Sequence, residues 1–233
     1  PSNSIEAYTS TLNFHDTLDI WASSRGTNCA IYGYQTPFFY FYKPVTIYAQ
    51  ASWSGDNVHG IYCNGVNCRT IFYDTLAIKS LSWSSTTCGI RHQGWAQYYD
   101  ETTVTISGPR TAYGIWLSHV KAYHTFYGPV SVTSTGGRGT YGDTYGFCVY
   151  GTLELFNTTN LWAYNTESSP AWGIYSYGTI NTKETTFINA TALGSGTSPT
   201  YTLGQFSSTI IYLYSILFYS NSTTNQLAHA IYS

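Results

Sequence analysis

The sequence predicts an all-β protein built as a solenoid of parallel strands, and three observations carry this prediction. One short phrase recurs along the 233 residues, a second phrase recurs with the same spacing, and a strand-like stretch lies between the two. Charged residues make up only 9% of the chain and there are 24 Tyr, a composition that favours strands over helices.

The first phrase reads HDTLDIWAS from His15, YKPVTIYAQ from Tyr42 and YDTLAIKSL from Tyr73. Two alternate positions of each copy take apolar or small residues, and a period of two predicts a strand with one buried face. The pairs are Leu18/Ile20, Val45/Ile47, Leu76/Ile78, Val104/Ile106, Val130/Val132, Leu161/Ala163, Thr186/Ile188 and Ile216/Phe218.

The second phrase is a small residue followed by an apolar one and an outward side chain. Its copies are Ala30-Ile31-Tyr32, Gly60-Ile61-Tyr62, Gly89-Ile90-Arg91, Gly114-Ile115-Trp116, Gly146-Phe147-Cys148, Gly173-Ile174-Tyr175, a weaker Gln205-Phe206-Ser207, and Ala230-Ile231-Tyr232. The intervening stretches are STLNF, RTIFY, GTLEL, GTINT and STIIY, and Gly, Asn, Pro and Ser mark the corners.

Three short strands in each repeat predict one solenoid coil, with like strands stacked about 4.8 Å apart. We expect about eight coils of roughly 28 residues, forming one domain over residues 1–233. The sequence resembles the right-handed parallel β-helix superfamily, the fold of pectate lyases and phage tailspikes. The resemblance covers nearly the whole chain and rests on repeat length, punctuation and stacked apolar residues. A β-sandwich or jelly roll is the alternative, but it does not predict in-phase repeats.

The two ends of the predicted solenoid show no amphipathic capping helix in the sequence. Terminal coils expose unpaired strand edges and apolar interior. We therefore expect something to cover them, either a neighbouring subunit stacked end to end or the rest of a longer polypeptide.

Outward positions of the first strand of each coil predict a ladder of large side chains. The ladder contains Tyr32, Tyr62, Arg91, Trp116, Cys148 and Tyr175. Aromatic rings can stack on sugars or form a subunit contact, and Arg91 between two rings can add cation–π stacking. The alternative is that the stacked rings only stabilise adjacent strands.

Acidic residues recur before the third strand of the coils, with Lys43 in the same phase. They are Asp16, Asp74, Asp100, Glu101 and Glu184. The resemblance implies that lyases of the fold would use carboxylates for calcium and a basic residue as the catalytic base, and that hydrolases would use a set of Asp. This chain has no dense Asp cluster. It therefore predicts an alternating-charge ladder and no catalytic residues.

The histidines and cysteines suggest no metal site and no cofactor. His92 falls on an inward phase and is expected to be a hydrogen-bonded core residue, and His119 and His124 have a poor metal-ligand spacing on strands. None of the five Cys forms a CxxC motif, which argues against a zinc site and a thioredoxin site. Cys63 and Cys68 are the one close pair and a candidate disulfide.

Three sequons occur at Asn157, Asn189 and Asn221, at positions expected to be exposed, and they predict N-glycosylation. The net charge of −2 gives no electrostatic reason for a nucleic-acid partner, and no apolar run reaches the roughly 18 residues of a membrane span.

Together these features predict a non-enzymatic extracellular glycoprotein at the cell surface, whose subunits stack end to end into a filament or fibre. The alternative is a carbohydrate-binding or polysaccharide-degrading β-helix protein, with a polysaccharide as partner. A virion spike or fibre is a third hypothesis.

Overall fold

The computed structural model describes residues 2–25, 27–51, 57–83, 85–137, 142–166, 169–192, 200–205, 211–212, 215–222 and 228–232. Side chains are described within these ranges from residue 3 to residue 184, and at Phe187, Tyr201 and Leu203. All the regular structure in these ranges is strand, numbered β1 to β25 along the chain. The described residues therefore contain no helix, and so no helix that is long and apolar enough to span a membrane.

Sheet A is formed by the strands that the second phrase predicts and by β1 (Ser2–Ala7), which the phrase does not include, and every described neighbouring pair in it is parallel. In spatial order it contains β1, β4 (Asn28–Tyr34), β7 (Val58–Asn64), β10 (Thr87–His92), β13 (Ala112–Leu117), β16 (Thr144–Val149), β19 (Ala171–Ser176), β22 (Thr200–Gln205) and β25 (Ala228–Tyr232). The partner of Ile174 in β22 is Leu203, not the predicted Phe206.

Sheet B is formed by the stretches between the two phrases. Its described strands, also parallel, are β2 (Thr11–Phe14), β5 (Phe38–Phe41), β8 (Arg69–Phe72), β11 (Trp95–Tyr98), β14 (Tyr123–Phe126), β17 (Thr152–Leu155), β20 (Thr179–Thr182) and β23 (Ile211–Tyr212).

Sheet C is formed by the strands of the first phrase. Its described strands are β3 (Leu18–Ser24), β6 (Val45–Ala51), β9 (Leu76–Ser82), β12 (Thr102–Ser107), β15 (Val130–Gly136), β18 (Thr159–Asn165), β21 (Thr185–Ala192) and β24 (Ser215–Ser222).

The three sheets stack as a parallel β-solenoid of about 28 residues per turn, which confirms the fold class and the fold-level resemblance to β-helix repeat proteins. Successive turns differ in length. The turn from Thr87 to its partner Ala112 is short, and the next turn, from Ala112 to its partner Thr144, is longer. About six turns are established by strands with described side chains, whereas the sequence predicted about eight. The difference arises because the last repeats contain most of the residues outside the described ranges.

The predicted register of sheet C is wrong by two residues in two coils. Leu76 of β9 pairs with Thr102 rather than Val104, and Val130 of β15 pairs with Thr159 rather than Leu161. A slip of two keeps every side chain on its predicted face, so the alternation alone could not detect it. Thr102 and Thr159 are both fully buried and occupy the apolar column.

The interior of the solenoid is filled by in-register ladders. In sheet B the rings of neighbouring coils are nearly parallel, with centroids 4.1 to 5.4 Å apart. These rings belong to Phe14, Phe41, Phe72, Tyr98 and Phe126.

The recurrent glycine of the second phrase has a steric cause. A Cβ on Gly60 would lie 2.5 Å from Cγ2 of Ile78 and 2.7 Å from the carbonyl oxygen of Gly89. The same column continues as Gly89 and Gly114, where an added Cβ would meet Val104 and Val132. Sheet A and sheet C therefore approach too closely here for a side chain.

Candidate functional site

The outer face of sheet A carries the predicted ladder in one register column. Tyr32, Tyr62, Arg91, Trp116, Cys148 and Tyr175 are successive Cα partners. Five of the six side chains are partly exposed, but Cys148 is only 3% exposed. The structure thus assembles the ladder, while neighbouring side chains cover the Cys148 thiol.

Arg91 is the centre of this ladder. Its Cζ lies 4.7 Å from the ring centroid of Tyr62 and 4.1 Å from that of Trp116. Within the described residues, the buried Nε of Arg91 and Nε1 of Trp116 have no hydrogen-bond partner. The two ring faces on which a sugar could stack are therefore occupied by the guanidinium, which favours strand stabilisation as the role of the ladder.

A second column on the same face was missed by the sequence analysis because its residues differ in chemical type. Its members are Cys29, His59, Cys88, Tyr113, Tyr145 and Trp172. The His59 ring lies 4.9 Å from that of Tyr62 and is only 3% exposed. Burial, together with the charge of Arg91, lowers the pKa of His59 to about 3.

The acidic residues of the predicted charge ladder lie at the corners between sheets B and C, where two of them accept hydrogen bonds from the backbone. Asp74 Oδ1 accepts a 2.8 Å hydrogen bond from the Thr75 amide, and Asp100 Oδ1 accepts one of 2.7 Å from the Glu101 amide. Asp16, Lys43 and Glu184 are exposed. Capping of the next amide explains why Asp recurs at this position and indicates a structural role for Asp74 and Asp100.

Asn157 occupies the equivalent corner of a later coil. Its Oδ1 accepts a 2.7 Å hydrogen bond from the Thr158 amide, and it is partly exposed between the exposed residues Phe156 and Thr158. The backbones of Asn189 and Asn221 lie in β21 and β24, and their side chains are outside the described ones. Glycosylation of all three remains a prediction.

An exposed ridge of stacked rings runs along the same corner and was also missed by the sequence analysis. Centroids of successive rings are 4.7 to 5.3 Å apart, and the interplanar angles are at most 27°. The ridge contains His15, Tyr42, Tyr73, Tyr99, Tyr127 and Phe156. Its rings precede the capping residues in the sequence, so the recurring pair Tyr-Asp at 73–74 and 99–100 is the signal that could have revealed it.

A groove at the opposite corner, between sheets C and A, lies across several coils. Trp83 in its wall is 67% exposed. The other lining residues carry no charge: Gln50, Leu81, Ser82, Ser107, Gly108, Pro109, Thr135, Gly136 and Thr166. Hydroxyl and amide groups beside an indole ring are a suitable surface for a neutral polar ligand.

Four polar side chains meet inside the solenoid where sheet A turns into sheet B. Cys63 is the penultimate residue of β7, Cys68 precedes β8, Thr70 lies in β8, and His92 ends β10 one coil later. All four are buried. The ligand atoms of Cys63, Cys68 and His92 lie within 4.8 Å of one another. His92 is a hydrogen-bonded core residue as predicted, since its Nε2 lies 3.1 Å from Thr70 Oγ1 and its Nδ1 accepts from the Gly94 amide.

Both cysteines of this cluster are free thiols in the structure. A hydrogen bond to Cys63, together with burial, raises the pKa of Cys68. The disulfide between them is a prediction that the structure does not contain. The cluster could not be recognised in the sequence because His92 lies in the next coil. It comes opposite Cys63 only through the register of β7 and β10.

Comparison of the chain with protein-family models, with curated proteins and with solved structures finds no match. Its function is therefore argued from its own geometry.

Proposed function

We propose that this chain is a structural part of an extracellular glycoprotein, and that its coils associate with those of a second copy to build a filament or fibre. The supporting observation is the uniformity of the coil. Like strands pair in parallel with their neighbours in all three sheets of the described chain. Each coil thus offers the next the same edge, so coil-on-coil contact between copies needs no new kind of surface.

Apolar side chains of the first described coil give this contact a driving force. Four of those that point inward are only partly buried against the core, whereas Ile31 and Phe39 of the following coil are fully buried. The partly buried residues are Ile5, Leu12, Phe14 and Leu18. Covering them with another coil would remove apolar surface from water and pair the outer edges of β1, β2 and β3.

The charge and surface chemistry of the chain support the same proposal. With a net charge of −2, copies approach without strong repulsion. Solubility at such low charge would come from hydroxyl groups and from glycans, for which the partly exposed Asn157 is suitably placed. The extracellular location is part of this proposal.

The test compares association of the wild-type chain with that of a variant carrying a charge inside the first coil. L12K places an ammonium group at the apolar end, whereas N13K places the same charge on the exposed side of β2. Light scattering and electron microscopy should show particles of the wild type and N13K lengthening with concentration, but not those of L12K. Monodisperse wild-type particles at all concentrations would exclude association between copies.

A second candidate function, binding of a polysaccharide, is favoured by the groove beside Trp83. Trp83 makes no ring contact with any described residue, whereas the more exposed Trp21 packs against the Tyr48 ring with centroids 4.5 Å apart. A free indole face beside hydroxyl groups can stack on a neutral sugar.

Co-sedimentation with insoluble neutral polysaccharides tests this second candidate. W83A should lose retention and W21A should keep it, because the Trp21 ring is already engaged by Tyr48. Equal retention of both variants would place sugar binding elsewhere.

A further inference from the structure

The buried cluster of Cys63, Cys68, Thr70 and His92 has the composition of a metal-binding site. Two thiols and an imidazole are the side chains that zinc selects in proteins. Their ligand atoms lie within 4.8 Å of one another. In a tetrahedral zinc site with bonds of about 2.0–2.3 Å, ligand atoms are separated by about 3.3–3.8 Å, so a small contraction would suffice.

Thr70 supplies a fourth donor in the same place. Its Oγ1 lies 3.6 Å from Cys63 Sγ and 3.1 Å from His92 Nε2. The first separation lies within the tetrahedral range given above and the second lies slightly below it, so small shifts would fit both around one cation. The hydroxyl oxygen of Thr70 can therefore complete the ligand set.

Two further side chains beside the cluster have unmet hydrogen-bonding capacity. Within the described residues, the Tyr98 hydroxyl and both ring nitrogens of His124 are buried without a partner. The His124 ring lies 4.8 Å from that of His92 and 5.8 Å from that of Tyr98. Unsatisfied polar groups are rare in native cores, and their presence beside His92 marks this part of the interior as unusually polar.

We infer that Cys63, Cys68, His92 and Thr70 form a buried structural site for Zn²⁺. Binding replaces the two S–H bonds by two Zn–S bonds and releases two protons to solvent, with no change of oxidation state. Two thiolates, a neutral imidazole and a hydroxyl leave the zinc complex uncharged. A monovalent ion such as Cu⁺ on two thiolates would leave a net negative charge in the core, which is costly.

Zinc must displace several hydrogen bonds of the metal-free structure. Thr70 Oγ1 no longer pairs with His92 Nε2 or Cys63 Sγ, because all three atoms would bind the metal. Nδ1 of His92 accepts from the Gly94 amide at 3.0 Å, but a neutral imidazole bound through Nε2 carries its proton on Nδ1. The Gly94 amide is then left unpaired, which is unfavourable, but the binding of structural zinc is strong enough to offset the loss of this hydrogen bond.

A surface pocket at the corner of the coil adjoins the cluster. Cys68 forms part of its wall, although the residue itself is fully buried. The rest of the wall is Thr36, Phe38, Val66, Asn67, Arg69 and Trp95. The pocket therefore borders one of the four proposed ligands.

The test uses the full chain, purified without chelator, and titrates it with Zn²⁺ and with Co²⁺ as a coloured substitute. One equivalent of zinc per chain is expected, and Co²⁺ should give thiolate-to-metal charge-transfer absorption with the visible bands of tetrahedral cobalt. C63S and C68S should lose that absorption. C88S removes a buried thiol outside the cluster and should keep it. T70V should weaken zinc binding by about tenfold or more.

Thiol counting and NMR keep the inference falsifiable if a cysteine variant does not fold. The unfolded wild type, treated with chelator, should show five thiols. Three thiols would mean that one disulfide is present, and peptide mapping that assigns it to Cys63 and Cys68 would overturn the zinc site. Zinc should move the proton of His92 to Nδ1 and shift the Gly94 amide resonance. Equal zinc binding by the C63S/C68S double variant would show a site elsewhere and equally overturn the inference.

Discussion

At the scale of single residues, the structure is determined by what fits into the narrow space between sheets A and C. Gly60 is required there by Ile78 and by the next strand, not by an unusual backbone angle. The sequence showed that a small residue recurs before each Ile. It could not show why, because the opposing Ile78 lies in another part of the repeat and meets Gly60 only after the coil closes.

The substitution G60A tests this steric explanation. We expect it to lower the free energy of unfolding by about 1–3 kcal/mol, because the new methyl group overpacks against Ile78. In an I78A background the same substitution should cost less, because only the collision with the Gly89 carbonyl oxygen remains. Urea unfolding of the four members of this cycle measures the coupling; strictly additive effects would exclude a collision between the two side chains.

Burial of His59 makes stability depend on pH. Its folded pKa of about 3 lies below the unfolded value of about 6.5, so between these values the unfolded chain binds a proton that the folded one rejects. The contribution is complete above about pH 6.5 and is lost as the pH falls toward 3, at about 1.4 kcal/mol per unit.

Unfolding measured from pH 7 to 4 should therefore show a shallower dependence for H59Q than for the wild type. His124, whose pKa burial also lowers, should keep part of the dependence in that variant. H15Q changes an exposed residue and serves as the control. An identical slope in H59Q and the wild type would mean that His59 is accessible to protons in the folded state.

At the scale of strands and corners, the alternation of side chains was sufficient to predict faces but not register. Val104 and Leu161 were predicted on the correct face and two positions out of register. The corners settle the register, because Asp100 and Asn157 each bind the following amide and fix where the next strand begins. That information lies in polar residues outside the apolar pattern.

Capping at the corner predicts a difference between two substitutions of Asp100. D100A removes the acceptor of the Glu101 amide and should cost about 0.5–1.5 kcal/mol of stability. D100N should be nearly neutral, because Asn157 makes the same 2.7 Å hydrogen bond in its own coil. Chemical denaturation distinguishes the two, and equal losses would show that the amide is satisfied in another way.

The same corner allows a test of glycosylation at Asn157. T159V removes the sequon but keeps a branched side chain at a buried strand position, whereas T158A alters an exposed residue and keeps the sequon. Expressed in a glycosylating host, peptides containing Asn157 should carry a glycan in the wild type and T158A, and none in T159V. An unmodified wild-type peptide would remove Asn157 from the proposal.

At the scale of the whole molecule, the sequence predicted the architecture because every coil repeats the same pattern of apolar, small and corner residues. It did not predict the cluster of Cys63, Cys68 and His92, since stacking of one coil on the next brings His92 to the two cysteines. The exposed aromatic ridge arises in the same way, from single rings of successive coils. A site formed by side chains of two coils therefore cannot be recognised from the residue pattern of a single coil.

The parallel pairing of like strands also governs how the chain can gain and lose its structure. Each coil contacts only the coil before it and the coil after it. Folding can therefore nucleate at any well-packed turn and propagate in both directions. Every added turn then closes a loop of similar length, and the entropic cost per step stays constant as the rod grows. Deleting a whole turn should shorten the rod by one strand spacing while the remaining turns stay folded.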